Sequence, residues 1–175
     1  MIFKDTALRG VFLVEPERLE DARGFFMRTF CREEFRAHGI DFPVAQANVS
    51  FNPRKGTLRG LHYQAEPHGE AKVVSCTRGS LFDVLVDLRR DSPTFRQHVA
   101  EVLSAANRRM FCAPKGVAHG FLSLEDDTEV SYLMSEPYHP ASGRGVRWDD
   151  PAFGIRWPGP VKVISDKDRS YPDFT

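Results

Sequence analysis

The sequence predicts an all-β fold, a β-sandwich or barrel of short strands, in a single domain that spans residues 1–175. Its apolar runs are short, many alternate apolar with polar residues, and turn signals separate them. The 14 Phe, 13 Gly and 12 Pro residues fit strands that are cut by turns. A chain of this length can bury one sizeable core, with roughly 70% of its unfolded surface removed from water, but it is short for two full domains.

Nine apolar runs have the length and residue types that predict strands. The clearest is the segment 80–89, in which the even-numbered positions from Phe82 to Leu88 form one apolar face. The opposite face of this segment alternates leucines with Asp83 and Asp87. In chain order, the predicted strands lie within residues 10–16, 24–30, 44–51, 57–64, 71–77, 80–89, 98–103, 118–124 and 129–134.

Helix signals are few. The segment 31–39 predicts a short helix, with Phe35 as its only large apolar anchor and Gly39 as its C-terminal stop. A second short helix is predicted near residues 166–174, and residues 138–159 are interpreted as an ordered loop. The turn signals between strands are Asn52-Pro53, Lys55-Gly56, Arg78-Gly79, Ser92-Pro93, Pro114-Lys115-Gly116 and Asp126-Asp127.

The charge balance excludes some classes of partner. Lys+Arg and Asp+Glu both number 24, so the formal net charge is zero. Such a chain has no general attraction for nucleic acid or for a membrane surface, although a local basic pocket can still hold an anion. It also has little charge to keep copies of itself apart, which is compatible with an oligomer.

The cysteines and the N-terminal segment indicate the compartment. Cys31, Cys76 and Cys112 are an odd number without C-x-x-C spacing, so neither a disulfide framework nor a structural zinc site is expected. The first residues do not resemble a signal peptide, and no stretch approaches the ~20 apolar residues of a membrane span. We therefore expect a soluble cytoplasmic protein.

Three segments carry residues suited to acid–base chemistry. Arg59 and His62 lie in the run 57–64, where an arginine can hold an anion and a histidine can accept a proton near neutral pH. Taken alone, a strand histidine is more often a packing residue. The P-x-G-x-x-H spacing before His119 resembles the second half-motif of the cupin superfamily. Tyr132 has an ordinary packing interpretation unless other groups accompany it.

No metal site and no cofactor are predicted. Metal-dependent cupins need an H-x-H pair in their first motif, whereas the segment 57–64 contains a single histidine. The remaining histidines are interpreted as loop or surface residues: His38, His68, His98 and His139.

Eleven short motifs occur along the chain in a fixed order. They are DARGFF (21–26), QANVS (46–50), LRGLHYQ (58–64), KVV (72–74), SPTF (92–95), PKGVAHGF (114–121), VSY (130–132), YHP (138–140), WDDP (148–151), WP (157–158) and SDKD (165–168). Any one motif is weak, but eleven in order are highly specific. Together they closely resemble the dTDP-4-dehydrorhamnose 3,5-epimerase family of nucleotide-sugar enzymes, from about residue 3 to about residue 168.

The resemblance implies a fold and a reaction. The fold is a cupin-like jelly-roll barrel of antiparallel strands with few short helices. The reaction is metal-free and moves protons on the carbons beside the C4 ketone of a nucleotide-linked 4-keto-6-deoxy sugar. The family converts dTDP-4-dehydro-6-deoxy-D-glucose to dTDP-4-dehydro-L-rhamnose, a step in dTDP-rhamnose and polysaccharide biosynthesis, including lipopolysaccharide.

The resemblance also implies residue roles. It places the general base on His62, the partner of that base on Asp168, the general acid on Tyr132 and the enolate-stabilising cation on Lys72. These residue types suit the chemistry, because a developing enolate needs a cation or a donor at its oxygen and inversion needs an acid on the opposite face. The residues that match substrate-binding positions are Arg23, Phe26, Arg28, Gln46, Asn48, Arg59, His119, Tyr138 and Lys167.

The family also implies a homodimer with strand exchange. In the family, the strand of the D-x-R-G-F-F motif, here residues 21–26, crosses into the sheet of the partner and helps to line its site. The expected partners of this chain are therefore a nucleotide-sugar substrate, most simply a dTDP-linked one, and a second copy of itself.

The chain departs from the family pattern at the nucleotide end. Arg28 and Gly143 stand where the family usually has glutamates that are associated with nucleotide binding, and Glu70 replaces a common Gln. Thymidine preference is therefore less strongly predicted than epimerase chemistry. The alternatives are a mono-epimerase or ketoisomerase that acts on another nucleotide 4-keto sugar, and a non-catalytic sugar-binding cupin. The complete proton-transfer set argues against the last alternative.

One pattern conflicts with these roles. Strict alternation along the run 57–64 places Arg59 and His62 on opposite faces of a strand, although the family uses both in one site. Gly60 lies between them and is a candidate for a bulge or kink that re-aims the chain.

Overall fold

The fold consists almost entirely of strands. The computed structural model describes residues 1–175. Strands hold 43% of the residues and helices 6%, which confirms the all-β prediction. Neither helix is long and apolar enough to traverse a membrane. The elements are β1 (Ile2–Asp5), β2 (Phe12–Glu15), β3 (Arg18–Asp21), β4 (Gly24–Met27), α1 (Arg32–Ala37), β5 (Gln46–Asn52), β6 (Leu58–Gln64), β7 (Lys72–Arg78), β8 (Ser80–Asp87), β9 (His98–Ser104), β10 (Met110–Ala113), β11 (Val117–Ser123), β12 (Thr128–Met134), β13 (Gly143–Gly145) and α2 (Asp166–Arg169).

Two antiparallel sheets form the body of the fold. The six-stranded sheet has the order β1-β2-β10-β7-β12-β5, and the five-stranded sheet has the order β13-β6-β11-β8-β9. Every pairing between two strands is antiparallel, and many paired strands are distant in sequence. These are features of a double-sheet jelly roll. The predicted cupin-like jelly roll is confirmed.

The main core lies between the two sheets. Val74 of β7 and Val130 of β12 belong to it from the six-stranded sheet, and Leu85 of β8 and Phe121 of β11 belong to it from the five-stranded sheet. Because side chains alternate along a strand, residues two or four positions from these also face the interior. The inner surface therefore continues from this apolar core into the polar residues of the site.

Helix α1 covers the outer face of the six-stranded sheet. Phe35 is fully buried there with Phe42 and the outward-facing Val73. Burial of a Phe side chain contributes ~1.5–3 kcal/mol, which makes Phe35 the anchor of a helix only six residues long. Gly39 follows with a φ of +75°. The predicted helix, its anchor and its stop are confirmed.

Strand β8 is buried on both faces. Leu81 and Leu85 enter the core between the sheets, whereas Val84 and Val86 enter a second apolar cluster with Phe153. The two faces predicted from the alternation in residues 80–89 are therefore confirmed, and the two aspartates of this strand point inward with the leucines.

Four strands were not predicted from the sequence: β1, β3, β10 and β13. Each is only three or four residues long. Strand β3 is exposed and has three charged residues out of four, β10 is a short run buried throughout, and β13 contains two glycines. Their pairing depends on neighbouring strands rather than on a local pattern, because strand formation depends strongly on tertiary context.

Strand β6 has the irregularity that was expected at Gly60. In the pairing of β6 with β11, His62 lies opposite His119 and Arg59 lies opposite Phe121, so β6 has one residue more than β11 in this interval. Gly60 has a φ of +120°, and a Cβ there would lie 2.5 Å from the backbone of the facing strand. This bulge allows Arg59 and His62 to line the same cavity.

Strands β3 and β4 form a hairpin that belongs to neither large sheet. Leu19 and Phe26 in this hairpin are 68% and 67% exposed. The hairpin pairs only with itself within the chain.

Candidate active site

A cavity of about 670 Å³ lies between the two sheets. This volume is within the range of roughly 300–1,000 Å³ that is usual for small-molecule sites. Strands from both sheets and the segment around α2 contribute its walls. Eight predicted site residues line it: Asn48, Arg59, His62, Lys72, His119, Tyr132, Lys167 and Asp168.

The predicted base and its carboxylate are in contact. Nε2 of His62 lies 2.6 Å from Oδ1 of Asp168. Oδ2 of Asp168 accepts the backbone N–H of Gly60 at 3.1 Å. With Nε2–H donating to the carboxylate, the free lone pair of neutral His62 is on Nδ1, which has no hydrogen bond within the chain. The half-exposed ring of His62 can therefore accept a proton from a molecule in the cavity.

Asp168 is positioned by the short helix α2. The hydroxyl of Ser165 caps this helix and accepts the backbone N–H of Asp168 at 3.1 Å. Burial alone would raise the pKa of Asp168, but hydrogen bonds from His62 and from Gly60 outweigh it and lower that pKa. Asp168 is therefore an anion at neutral pH and can stabilise a positively charged His62.

Lys72 is buried beside the predicted base. Its ammonium group lies 2.9 Å from Oε1 of Glu70 and donates to the carbonyl oxygen of His62 at 3.2 Å. Both side chains of the Lys72–Glu70 ion pair are almost inaccessible to solvent. An ammonium group has three donors, so one donor of Lys72 is left for a ligand in the cavity.

Tyr132 lies in β12 with its ring against the interior. Its hydroxyl is 3.0 Å from the hydroxyl of Ser50. Burial raises the pKa of Tyr132 well above its usual value, and the negative charge of Asp83 raises it further. The hydrogen bond with Ser50 and the positive charge of Arg59 oppose this rise. Tyr132 therefore keeps its proton at neutral pH.

His119 forms a second histidine–aspartate pair. Nε2 of His119 lies 2.6 Å from Oδ1 of Asp83. Both side chains are buried, and Oδ2 of Asp83 has no hydrogen-bond partner. Burial raises the pKa of Asp83, although the charges of His119 and Lys72 oppose this rise.

Arg59 is held at the cavity wall by strand β5. Its Nε donates to Oδ1 of Asn52 at 2.7 Å, and one terminal nitrogen donates to the carbonyl oxygen of Phe51 at 3.4 Å. A guanidinium group has five donors, so several remain for an anion. Lys167 in α2 lines the same cavity and adds a second positive charge.

A second cavity of about 350 Å³ adjoins the first, because both are lined by Asn48 and Met134. Gln46 and Tyr138, two further predicted site residues, line this second cavity, as does Gly143. The side-chain oxygen of Gln46 accepts the backbone N–H of Tyr138 at 2.6 Å.

Three predicted site residues lie elsewhere in the chain. Arg23, Phe26 and Arg28 are on or beside the β3–β4 hairpin and line neither cavity. Arg23 pairs with Asp21 at 2.6 Å, and Arg28 pairs with Glu34 at 2.8 Å.

Several polar residues of the site were missed in the sequence. Ser50 contacts Tyr132 and Asn52 contacts Arg59. Both follow Asn48 at intervals of two in β5, so the alternation of that strand was a usable signal. The alternation in residues 80–89 placed Asp83 on the face that carries the leucines, but no role at the site was predicted for it. Glu70 was noted only as a departure from a family pattern, and its ion pair with Lys72 was not predicted.

The whole chain is similar to proteins of known name and structure. A family model described as dTDP-4-dehydrorhamnose 3,5-epimerase matches residues 5–175. A protein of that name from Sinorhizobium fredii is 43% identical over 175 residues, which cover 99% of this chain and 90% of the relative. A crystal structure of dTDP-4-dehydrorhamnose 3,5-epimerase from Bacillus anthracis, with TDP and PPi bound, has a TM-score of 0.95 and 39% identity, with 99% of both chains covered. The 3'-monoepimerase ChmJ of Streptomyces bikiniensis, solved with dTDP-quinovose, has a TM-score of 0.89 and 39% identity, with 96% of this chain and 85% of that one covered.

Proposed function

The chain belongs to the dTDP-4-dehydrorhamnose 3,5-epimerase family and is an epimerase, and we propose that it inverts C3 and C5 of a dTDP-linked 4-keto-6-deoxy sugar. The observation that carries the proposal is the convergence of four groups on one cavity. His62, Lys72 and Tyr132 come from three strands of two sheets, and Asp168 comes from a helix near the C-terminus. The convergence of a base, a cation and an acid suits proton transfer beside a ketone.

His62 is proposed as the general base. Nδ1 removes the proton from the carbon beside the C4 ketone, and the electron pair of the C–H bond forms the C=C bond of an enolate. The imidazolium that results is stabilised by the anionic carboxylate of Asp168, 2.6 Å from Nε2. The half-exposed side chain of His62 supports this role, because the base must reach the sugar.

Lys72 is proposed to stabilise the enolate. The negative charge develops on the C4 oxygen, and the remaining donor of Lys72 is available to that oxygen. An oriented donor or charge at a developing oxyanion typically lowers the barrier by several kcal/mol. Glu70 and the carbonyl oxygen of His62 hold the ammonium group in place and so limit the reorganisation that the reaction requires.

Tyr132 is proposed as the general acid. It gives its proton to the opposite face of the enolate carbon, which converts exchange into inversion. The hydroxyl of Ser50, 3.0 Å away, can then donate to the tyrosinate oxygen, and the charge of Arg59 also favours this anion. Both partners support proton release from a phenol whose burial otherwise opposes it.

The diphosphate of the substrate is proposed to bind the positive side of the cavity. Arg59 has free donors and Lys167 lies on the same wall, so together they offer two charges to a phosphate. The adjoining second cavity, with Gln46 and Tyr138, offers space for the nucleoside. His119 and Asn48 complete the polar lining as substrate-binding residues.

The β3–β4 hairpin is proposed to act in a second copy of the chain. Arg23, Phe26 and Arg28 do not reach either cavity of their own chain, and the apolar side chains of the hairpin are exposed. Strand β5 is an edge strand, with exposed Val49 and Phe51 beside the cavity residues. A homodimer in which the hairpin crosses to the partner would cover both surfaces. Gel filtration that gives a strict monomer at micromolar concentration would overturn this arrangement.

Nucleotide preference is proposed to be looser than in a typical family member. Arg28 and Gly143 replace glutamates that could accept a hydrogen bond from a base, and an arginine cannot accept one. The ion pair of Arg28 with Glu34, 2.8 Å apart, compensates part of the added charge. Competition of dTDP, UDP, CDP and GDP for the enzyme tests this. A preference for dTDP above about 100-fold would contradict it.

The proposal also covers the cellular compartment of the protein and its domain organisation. We place it in the cytoplasm as one domain of residues 1–175, with no nucleic-acid or membrane partner. Its three cysteines are unpaired thiols, which fits a reducing compartment.

The proposal is tested by incubation with dTDP-4-keto-6-deoxyglucose in heavy water. We expect deuterium at both C3 and C5 of the product, with inversion at both carbons. Deuterium and inversion at one carbon only would instead identify a mono-epimerase, the second candidate, which the similarity to the Streptomyces bikiniensis enzyme supports. No deuterium at either carbon would contradict the proposed reaction on this substrate.

A further inference from the structure

A cluster of metal-ligating side chains lies outside the cavity, on two loops beside β6. His68 is in the loop between β6 and β7, and Glu136 and His139 follow β12. Nδ1 of His68 and Nε2 of His139 each lie 3.5 Å from Oε1 of Glu136. The three ligand atoms lie within 4.8 Å of one another. The side chains are 38%, 37% and 30% exposed for His68, His139 and Glu136, so an ion can reach them from solvent.

We propose that His68, Glu136 and His139 form a binding site for a divalent transition-metal ion such as Zn²⁺, separate from the proton-transfer residues. Imidazole nitrogens and a carboxylate oxygen bind Zn²⁺ at about 2.0–2.2 Å, usually in a tetrahedron. Neighbouring ligand atoms of such a tetrahedron are roughly 3.3 Å apart. Both histidine–glutamate separations, at 3.5 Å, are already close to this value. The fourth position is left for water.

The backbone of both loops is fixed by a buried side chain. Nε2 of Gln64 donates to the carbonyl oxygens of His68 and Pro137, each at 3.1 Å. Oε1 of Gln64 accepts the backbone N–H of His139 at 2.6 Å. A buried amide thus ties the main chain of the ligand residues to β6. Because the loops are already ordered, an ion that binds there does not have to order them.

The two imidazole rings must rearrange to bind one ion. The rings of His68 and His139 are stacked, with centroids 3.6 Å apart and planes 13° apart. The lone pair of an imidazole nitrogen lies in the plane of its ring, so two stacked rings cannot both point at one ion. At least one ring turns about its side-chain bonds, and the stacking is lost. The site therefore forms by side-chain rotation on a fixed backbone.

The test uses Zn²⁺ and the full chain after treatment with a chelator. Calorimetry should give one Zn²⁺ per chain with a Kd of about 10 μM or tighter. His68→Ala and His139→Ala should each weaken binding at least about tenfold, because even the outer partners of metal ligands are worth 10–100-fold. The matched control is His98→Ala, a histidine of β9 outside the cluster, which should bind as the wild type does. NMR should show that Zn²⁺ shifts the ring resonances of His68 and His139.

Three results would overturn the site: a wild-type Kd weaker than about 10 μM, unchanged binding in either cluster variant, or a loss of binding in His62→Ala that the cluster variants do not share. The last would place the ion in the cavity. Epimerase activity should persist in His68→Ala and after chelation, since no proposed catalytic group is a ligand. Failure of the metal site therefore leaves the proposed function intact.

Discussion

The fold contains two histidine–aspartate pairs whose histidines lie on the neighbouring strands β6 and β11. The same contact has different surroundings in each pair. In both pairs Nε2 and Oδ1 are 2.6 Å apart. The side chain of His62 is 44% exposed and that of His119 is 6% exposed. Asp168 also accepts the backbone N–H of Gly60, whereas the second oxygen of Asp83 has no partner.

These surroundings shift the pKa values of the two carboxyl groups in opposite directions. Burial opposes the charge of both, but hydrogen bonds outweigh it at Asp168 and lower that pKa, whereas burial dominates at Asp83 and raises its pKa. A histidine–aspartate distance therefore does not identify a base. Access to the substrate and the other partners of the carboxylate do, and both favour His62.

The largest expected effect is on the rate of C–H exchange, which should depend on His62. His62→Ala should lower C–H exchange by ~10²–10⁴-fold, the range for loss of a general base. The free energy of unfolding should fall by less than in His119→Ala, because the ring of His62 is half-exposed and Asp168 keeps the hydrogen bond from the backbone N–H of Gly60. Exchange is measured by deuterium uptake, and unfolding by urea titration. Full exchange activity in this variant would remove His62 from the mechanism.

Asparagine substitutions sharpen the contrast between the carboxylates. Asp168→Asn should lower exchange about 100-fold or more, because an amide cannot stabilise the imidazolium and can favour the wrong tautomer. The matched control is Asp83→Asn, which should cost less than about tenfold, since Asp83 is shifted towards its neutral form. The measurement is kcat/KM for exchange. Equal losses in the two variants would show that the different surroundings do not give the two carboxylates different importance for catalysis.

The second histidine is expected to matter for stability. His119→Ala leaves the buried Asp83 without its only hydrogen-bond partner, which should lower the free energy of unfolding by about 1–3 kcal/mol. Adding Asp83→Val should recover part of this loss, since the orphaned carboxyl group is then gone. Urea unfolding checks both variants. A His119→Ala protein as stable as the wild type would contradict the structural role of this pair.

A smaller effect, on the pH dependence of stability, is expected from the two aspartates of β8, Asp83 and Asp87. Burial alone would raise the pKa of Asp87, but hydrogen bonds from Arg89, Ser92 and Thr94 lower it to about 2 from 3.8. A carboxyl group with a depressed pKa stabilises the fold above its unfolded pKa, and this stabilisation is lost as the pH falls through the folded pKa. About 2 kcal/mol should therefore disappear between about pH 4 and pH 2.

Asp87→Asn should flatten this part of the stability curve, measured by thermal unfolding at a series of pH values. Ionisation of Asp83 has the opposite effect on stability, because burial raises the pKa of this group. Its ionisation destabilises the fold as the pH rises above the unfolded value, so Asp83→Asn should not flatten the acid limb. A curve that keeps its full slope in Asp87→Asn would contradict the assignment.

The sequence predicted the fold wherever a strand has a strong pattern of its own. Segment 80–89 shows both faces of β8 by alternation, and Phe35 with Gly39 predicts α1 and its end. Gly60 marked the bulge because only glycine fits so close to the facing strand. Strands β3 and β13 could not be predicted in this way, because β3 has a single apolar residue, Leu19, and β13 is Gly-Arg-Gly, so neither has an apolar alternation of its own.

The site was predicted less completely, for a related reason. Motifs pointed to His62, Lys72, Tyr132 and Asp168, and all four line one cavity. Ser50, which contacts Tyr132, belongs to a different strand, whereas Glu70, which pairs with Lys72, lies two residues before it in the chain. Which polar residue meets which depends on strand register, and a single sequence does not specify the register of distant strands.

The central claim is that His62 removes the proton and Tyr132 returns it to the other face. The most direct measurement follows deuterium at C3 and C5 of dTDP-4-keto-6-deoxyglucose in heavy water, with wild type, His62→Ala and Tyr132→Phe. We predict that His62→Ala loses exchange, whereas Tyr132→Phe loses inversion by ~10²-fold or more but still exchanges deuterium with retention, since His62 can return a deuteron to its own face. Equal losses of less than about tenfold in both variants would contradict the division of roles.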